Sequence, residues 1–387
     1  REEIIIEAVE LDCPDLVKEY LVLRQAFEKG TMDLILPDNW VNRPYQMQFI
    51  RRVLIDYPEK LEEKRQFLEK FFDGKPKDDY CAWRYSDLLF GVTVQLPKLR
   101  EWAVGRLEKL YSEYQSNDDV RLAYAKSLVN LTVEQSLKAR EQSVTKLATL
   151  YEQNNANKEI AVEYAKGLMN LTVEQPLERC EQSVSKLATL YEQNNASEEI
   201  AVEYAKGLVN LTAEQSLDEC KQSVNKLAAL HELYEKNEEI AVRYAKGLFG
   251  LTIELSTEVC EESVNKIILL HTRFQNNEEI AIKYAYCLVN YALVQDSEQK
   301  VREILQQSKT LLEEYPQNTE IQLSYAQTWF NLTLVQSPDA LRQTVQEIKE
   351  FIRKHPEAKE KFQLALDEYL AEHPDHTERY ASLVLRT

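Results

Sequence analysis

Apolar and polar positions around residues 195–237 form two consecutive helical stripes. Ile200, Tyr204, Leu208 and Leu211 are spaced by 4, 4 and 3 residues, which puts them on one face of a helix. Asn195, Ala196, Ser197 and Glu198 precede that stripe, so Ser197 is the predicted N-cap, with acidic residues in the first turn. The helix is predicted to stop near Gln215. Ser216-Leu-Asp-Glu219 then fits a capping box that opens a second helix. The second stripe is Leu217, Cys220, Val224, Leu227 and Leu230, and Glu235-Lys-Asn237 breaks it. The pattern predicts a helical hairpin with a very short connection.

The same hairpin recurs along the chain. A Tyr-Ala-Lys-Gly-Leu-x-Asn-Leu-Thr motif starts at Tyr124, Tyr164, Tyr204 and Tyr244, and in worn form at Tyr284, a step of 40 residues. Blocks 124–163 and 164–203 are identical at 31 of 40 positions. Tyr85 begins a related segment 39 residues before Tyr124, and Tyr325 another 41 residues after Tyr284. A fixed step of this size predicts stacked repeats that bury one continuous core and present a long surface. Residues 46–356 therefore divide into about seven hairpins, with units near 46–84, 85–123, 124–163, 164–203, 204–243, 244–283, 284–324 and 325–356. Residues 1–45, with Pro37, Asn39, Trp40 and Pro44, are expected to form an N-terminal helical cap. Pro316, Pro356 and Pro374 end helices, and residues 357–387 are expected to close the array with one or two helices.

Within the unit of Tyr204, apolar or small residues stand at places 4, 8, 11, 20, 24 and 27: Tyr204, Leu208, Leu211, Cys220, Val224 and Leu227. This arrangement resembles the tetratricopeptide repeat, over roughly residues 85–355 and more faintly over 46–84. The units are six residues longer than that family's 34, and Gly207-Leu208 inverts its Leu-Gly order. HEAT-type helix pairs, of similar unit length, are the alternative. The resemblance implies an all-α, right-handed α-solenoid of stacked antiparallel helix pairs, whose first helices line a concave groove.

Composition agrees with helices and narrows the partners. The chain has 387 residues, 44% hydrophobic and 29% charged, with only 8 Gly and 11 Pro. Its net charge of −18 argues against broad phosphate contact with nucleic acid and against anionic membrane surfaces. No apolar run approaches the length of a membrane-spanning helix and no secretory signal stands out. With six sparse cysteines, the expectation is a reducing, cytoplasmic setting.

The internal copies also sort the candidate chemistry. Cys180, Cys220 and Cys260 recur 40 apart, but Arg140 holds the same place in an earlier unit, so a packing role is expected. His231 and His271 take the place of Tyr151 and Tyr191, so they too are expected to pack as rings. The triplets at Asn130, Asn170, Asn210 and Asn331 match a glycan acceptor pattern but fall inside predicted helices. No metal or cofactor is expected.

The polar feature that rides with the motif is a Lys–Asn pair at i, i+4: Lys126/Asn130, Lys166/Asn170 and Lys206/Asn210. Lys246 and Asn290 extend it. Stacking would align these in a ladder able to receive a carboxylate or peptide backbone. The resemblance implies the same, since tetratricopeptide carboxylate clamps place Lys and Asn on first helices. Alternatively, each Lys pairs with a Glu of the neighbouring unit and each Asn bonds across the stack. Beside the ladder runs a small apolar strip, Val202, Ala205, Val209 and Thr212 in one unit and Val162, Ala165, Met169 and Thr172 in another, expected to be buried by tight packing of units.

Gly-rich phosphate loops, Ser/His/Asp orders and metal-spaced His-Glu clusters are absent from the sequence. The expected function is a non-catalytic scaffold binding a protein or peptide, with self-association open. The alternative is a sensor or regulatory arm of a larger prokaryotic multidomain protein, motivated by the near-identical copies and the start at Arg1.

Overall fold

The computed structural model describes residues 78–372, except 134–135, 155–156, 174, 195–196 and 254–255, together with Gln25. The expected cap over 1–45, most of unit 46–84 and the end of the closing segment lie outside the described residues. The described residues are all-α. In chain order the helices are α1 (Asp79–Gln95), α2 (Arg100–Glu113), α3 (Asp118–Thr132), α4 (Leu137–Gln153), α5 (Lys158–Asn170), α6 (Leu177–Gln193), α7 (Glu198–Thr212), α8 (Leu217–Leu233), α9 (Glu238–Thr252), α10 (Thr257–Arg273), α11 (Glu278–Leu293), α12 (Glu298–Glu314), α13 (Thr319–Leu334) and α14 (Pro338–Lys354), with antiparallel pairs α1/α2 and α3/α4 in one part of the chain and α7/α8, α9/α10, α11/α12 and α13/α14 in the other. A last helix, α15 (Lys359–Glu372), follows a short 3-10 turn at Pro356–Ala358.

Two compact bodies make up the chain, residues 1–174 with 192–195, and residues 175–191 with 196–387. In the first body α1, α3 and α5 pack side by side, and α2 and α4 each fill the groove between two of them. In the second body α7, α9, α11, α13 and α15 form the row, and α8, α10 and α12 fill the grooves. α15, part of the expected closing segment, packs on α13 as a further first helix.

Close approach of the first helices follows from their small residues. Ala161 and Ala165, Ala201 and Ala205, Ala241 and Ala245, and Ala281 and Ala285 are each fully buried. Gly167 and Gly247 go further: a Cβ there would meet Leu147 Cδ1 at 2.7 Å and Leu227 Cδ1 at 2.8 Å. The motif Tyr and both Leu fill the core, with Tyr204, Leu208 and Leu211 buried. On the second helices Cys220, Val224, Leu227 and Leu230 are buried as the stripe predicts, while Leu217 is half-buried.

Helix boundaries follow local signals. Ser216 and Glu219 form the capping box of α8. α7 ends at Thr212, three residues before the expected Gln215, because the reversal into α8 needs residues outside either helix. Gln215 then accepts a hydrogen bond from the Ser223 hydroxyl at 2.8 Å. The segment read as a breaker has a second task. Asn237 is the N-cap of α9: its side-chain oxygen accepts from the Ile240 N–H at 2.9 Å, and its amide donates to Glu198 of α7 at 2.8 Å. Asn277 and Asn318 repeat both bonds one and two hairpins later. Each Asn thus starts one first helix and ties it to the first turn of the preceding one.

Candidate functional site

The Lys–Asn pairs lie on the half-exposed side of the first helices. The asparagines are engaged between helices. Asn130 donates to Thr93 Oγ1 at 3.1 Å, Asn170 to Thr132 Oγ1 at 2.7 Å, and Asn290 to Thr252 Oγ1 at 2.9 Å. Each of these buried threonines donates its own proton to a carbonyl three residues back in its helix, at 2.6–2.7 Å, so its oxygen is free to accept the amide. Asn210 holds the same half-buried place in α7. At Asn331 the amide goes instead to the Val289 carbonyl, at 3.0 Å. Gly250 occupies the place in α9, which has no amide to offer.

The lysines are held by carboxylates. Lys166 pairs with Glu163 at 2.8 Å. Lys206 bridges Glu203 at 3.0 Å and Glu239, in the first turn of the next first helix, at 2.9 Å. Burial opposes the Lys206 charge, but Glu239 and Glu203 outweigh it and raise its pKa. Lys246 meets Glu279, in the first turn of α11, at 2.5 Å. Lys126 stands half-buried at the equivalent place of α3. Glu163 and Glu203, both buried, were not singled out from sequence. The signal was present, since both sit three residues before a motif Lys.

Further along the row the charge pattern inverts. Arg243 and Lys283 replace the buried glutamate, and Tyr286 replaces the motif Lys. Lys283 Nζ lies 5.3 Å from the centre of the Phe249 ring and 4.7 Å from that of Tyr286. Burial, and then the neighbouring Lys246, lower its pKa. The Tyr286 hydroxyl donates to Glu320 at 2.6 Å and is pushed up to about 12 by burial and that bond.

An apolar row missed from sequence runs beside the lysines. Nine residues after each motif Tyr, the first body exposes Val94, Val133 and Val173, and the second exposes Ile253 and Leu293, at 39–61% of their surface. Ala213 is exposed at the same place. Val162, Met169, Val202 and Val209 are half-buried next to this row, whereas Ala165 and Ala205 are buried. The strip expected to be wholly packed is therefore split between a buried and an open edge.

The Cys and His places are filled as core. Cys180, Cys220 and Cys260 are buried, and burial pushes the Cys180 and Cys260 thiols up to about 11. His231 and His271 lie tilted against Tyr244 and Tyr284, with ring centres 5.9 and 5.7 Å apart, in the place where Tyr151 stacks on Tyr164 at 5.8 Å. Burial, and then Arg273, hold His231 below its ordinary pKa, and burial does the same for His271. The native state therefore disfavours their protonation relative to the unfolded chain. Stability from this source is complete above about pH 6.5, the ordinary histidine value, and falls as the pH drops below it. A double variant His231→Tyr, His271→Tyr is expected to flatten the acid limb below about pH 6.5 in thermal melts; an unchanged limb would contradict the assignment.

No family model matches this sequence, and no curated protein matches it. Among solved structures the chain is similar to the crystal structure of the TPR domain of P58(IPK). The match has 12% identity and a TM-score of 0.21, and covers 85% of this chain and 99% of the other. At that score the likeness adds nothing to the helix pairs described above. Among the described residues no helix is long and apolar enough to cross a membrane, and no cluster of three metal-binding side chains occurs.

Proposed function

We propose that the protein is a non-catalytic interaction scaffold whose first-helix face takes a protein or peptide segment. The observation that carries this reading is the exposed apolar row, repeated at one place of successive hairpins in each body. Soluble proteins seldom leave contiguous apolar surface open unless something docks on it. Packing of the array does not account for the row, since these side chains point out while the neighbouring Ala residues are buried. Lys126, Lys166, Lys206 and Lys246 border it and supply polar contacts along the edge. Asn130, Asn170 and Asn290 tie the helices that carry them to the preceding first helix, and Asn210 holds the same place in α7. The partner is a polypeptide with apolar residues at intervals that match the row, reached without nucleic acid, membrane or cofactor.

Aspartate at Ile253 and Leu293 tests this reading, because both sites are exposed and tolerate a charge. Tagged full-length chain and the double variant would be compared for proteins retained from the source cell. The variant is expected to keep its helical circular dichroism and melting temperature and to lose at least tenfold of the retained partner. Equal retention by both would sink the proposal.

A further inference from the structure

In the second body, α14 is fastened to its neighbours less fully than the other second helices. α8, α10 and α12 each lie along their own first helix, whereas α14 comes close to α13 only over a short stretch. Beneath it is a cavity of about 540 Å³, walled by Leu305 of α12, Tyr325 and Trp329 of α13, and Phe351 of α14 itself. Protein interiors are close-packed, so a space of that size between the helices of one hairpin marks incomplete docking.

The difference lies first in one hydrogen bond. In the hairpin of Tyr204, the Ser223 hydroxyl of α8 donates to Gln215, just ahead of that helix, at 2.8 Å. Thr344 and Gln336 stand at the same distances after Tyr325. The partners are in place, yet the bond is not made. Thr344 Oγ1 and Gln336 Oε1 are buried and without a partner among the described residues. The hydroxyls of Ser308 on α12 and Ser324 on α13 are in the same condition. A buried polar group left unpaired penalises the closed state, and an open state recovers that free energy from water.

The apolar stripe of α14 is also incompletely covered. Leu341, Ile348 and Ile352 are buried, but Val345 and Phe351 are half-buried, where Val224 and Leu230 of α8 are buried. Rings make much of the attachment: Phe351 stands 5.1 Å from Tyr325 and 5.5 Å from Phe362 of α15. α15 does not depend on α14 for its place. It packs directly on α13, with Tyr369 stacked on Phe330 at 5.8 Å.

We infer that α14 is a detachable strap. It undocks by local opening while α12, α13 and α15 stay folded, and its undocking uncovers the apolar surface around Leu305, Tyr325 and Trp329. Few buried contacts and unpaired buried groups are what place a segment at the low-stability end of a fold. The exposure of those rings is set by the docking equilibrium of this one helix.

Hydrogen exchange of the full-length chain, read by mass spectrometry on peptides from each helix, tests the inference. Amides in the middle of α14 are expected to exchange at least tenfold faster than those of α8, α10 and α12, while α13 and α15 stay protected. Fraying from the end of the array gives a different order, because α15 would then open before α14 or with it. Thr344→Val removes the unpaired hydroxyl with little change of shape and is expected to slow exchange in α14 at least threefold. Phe351→Ala removes the ring contacts and is expected to speed it at least tenfold, with α8 and α10 unchanged. Protection of α14 equal to that of α8, exchange of α13 or α15 as fast as α14, or no slowing in Thr344→Val would each overturn the inference.

Discussion

Replacing Leu227 with Ala is expected to lower the unfolding free energy by about 2–5 kcal/mol. Leu227 is fully buried on α8, which packs between α7 and α9. Its Cδ1 faces Gly247, close to the position a Cβ would take. Truncation therefore opens a void opposite a residue with no side chain to move into it, and the site collapses poorly. Coupling in a repeat array runs between nearest neighbours, so the loss should concentrate around α7–α9. Hydrogen exchange resolves this, because it reads opening helix by helix. Protection in α7–α9 is expected to fall by two orders of magnitude or more. Leu269→Ala, at a side chain 71% exposed, serves as the reference and should move by no more than about 0.5 kcal/mol. A Leu227→Ala loss under about 1 kcal/mol would refute the packing argument.

The second large effect is expected from Lys206→Met, which should cost about 1–3 kcal/mol. Glu203 is buried, and one of its oxygens, Oε2, has no hydrogen-bond partner among the described residues. Lys206 holds the other oxygen and also bridges to Glu239 on α9. Removing the lysine leaves a carboxylate in a poorly solvated place without its counter-charge. Glu203→Gln in the same chain should recover at least half of the loss, since the uncompensated charge is then gone. Chemical denaturation of the two single variants and the double variant measures this coupling. Additive effects, with no recovery, would show that the pair is not the source. The cycle also bears on partner binding: a lysine tied to a buried glutamate is a poor site for charge reversal, so exposed apolar positions are the cleaner probes of the first-helix face.

Much of the architecture was legible before any coordinates. The stripe Ile200, Tyr204, Leu208 and Leu211 specifies a helix and its buried side by periodicity alone. Ser216 and Glu219 specify where the next helix begins. The recurrence of the motif acts as an alignment inside one chain, which is why Cys220 and His231 were readable as packing positions: Arg140 and Tyr151 hold their places elsewhere. These inferences use near neighbours along the chain, where spacing and orientation are tightly linked.

The candidate site was only half legible. That Lys206 and Asn210 share a helix side follows from their spacing. Whether those groups face solvent, a neighbouring helix or each other depends on distances between helices, which periodicity does not contain. Only the packed structure joins Asn170 to Thr132, 38 residues away, and Lys206 to Glu239. The same holds for the exposed row. Val133 and Val173 look in sequence like two more apolar residues at helix ends. Their exposure arises because α3 and α5 end there, and among the described residues no neighbouring helix covers that edge. Sequence by itself determined the repeat, the helices and the identity of the core side chains, because these rest on local hydrogen bonding and on burial of a periodic face. Tertiary structure decided which polar groups are taken up in holding the helices together, which apolar groups stay open, and that a cavity lies beside Trp329, because each depends on how closely one helix lies against the next.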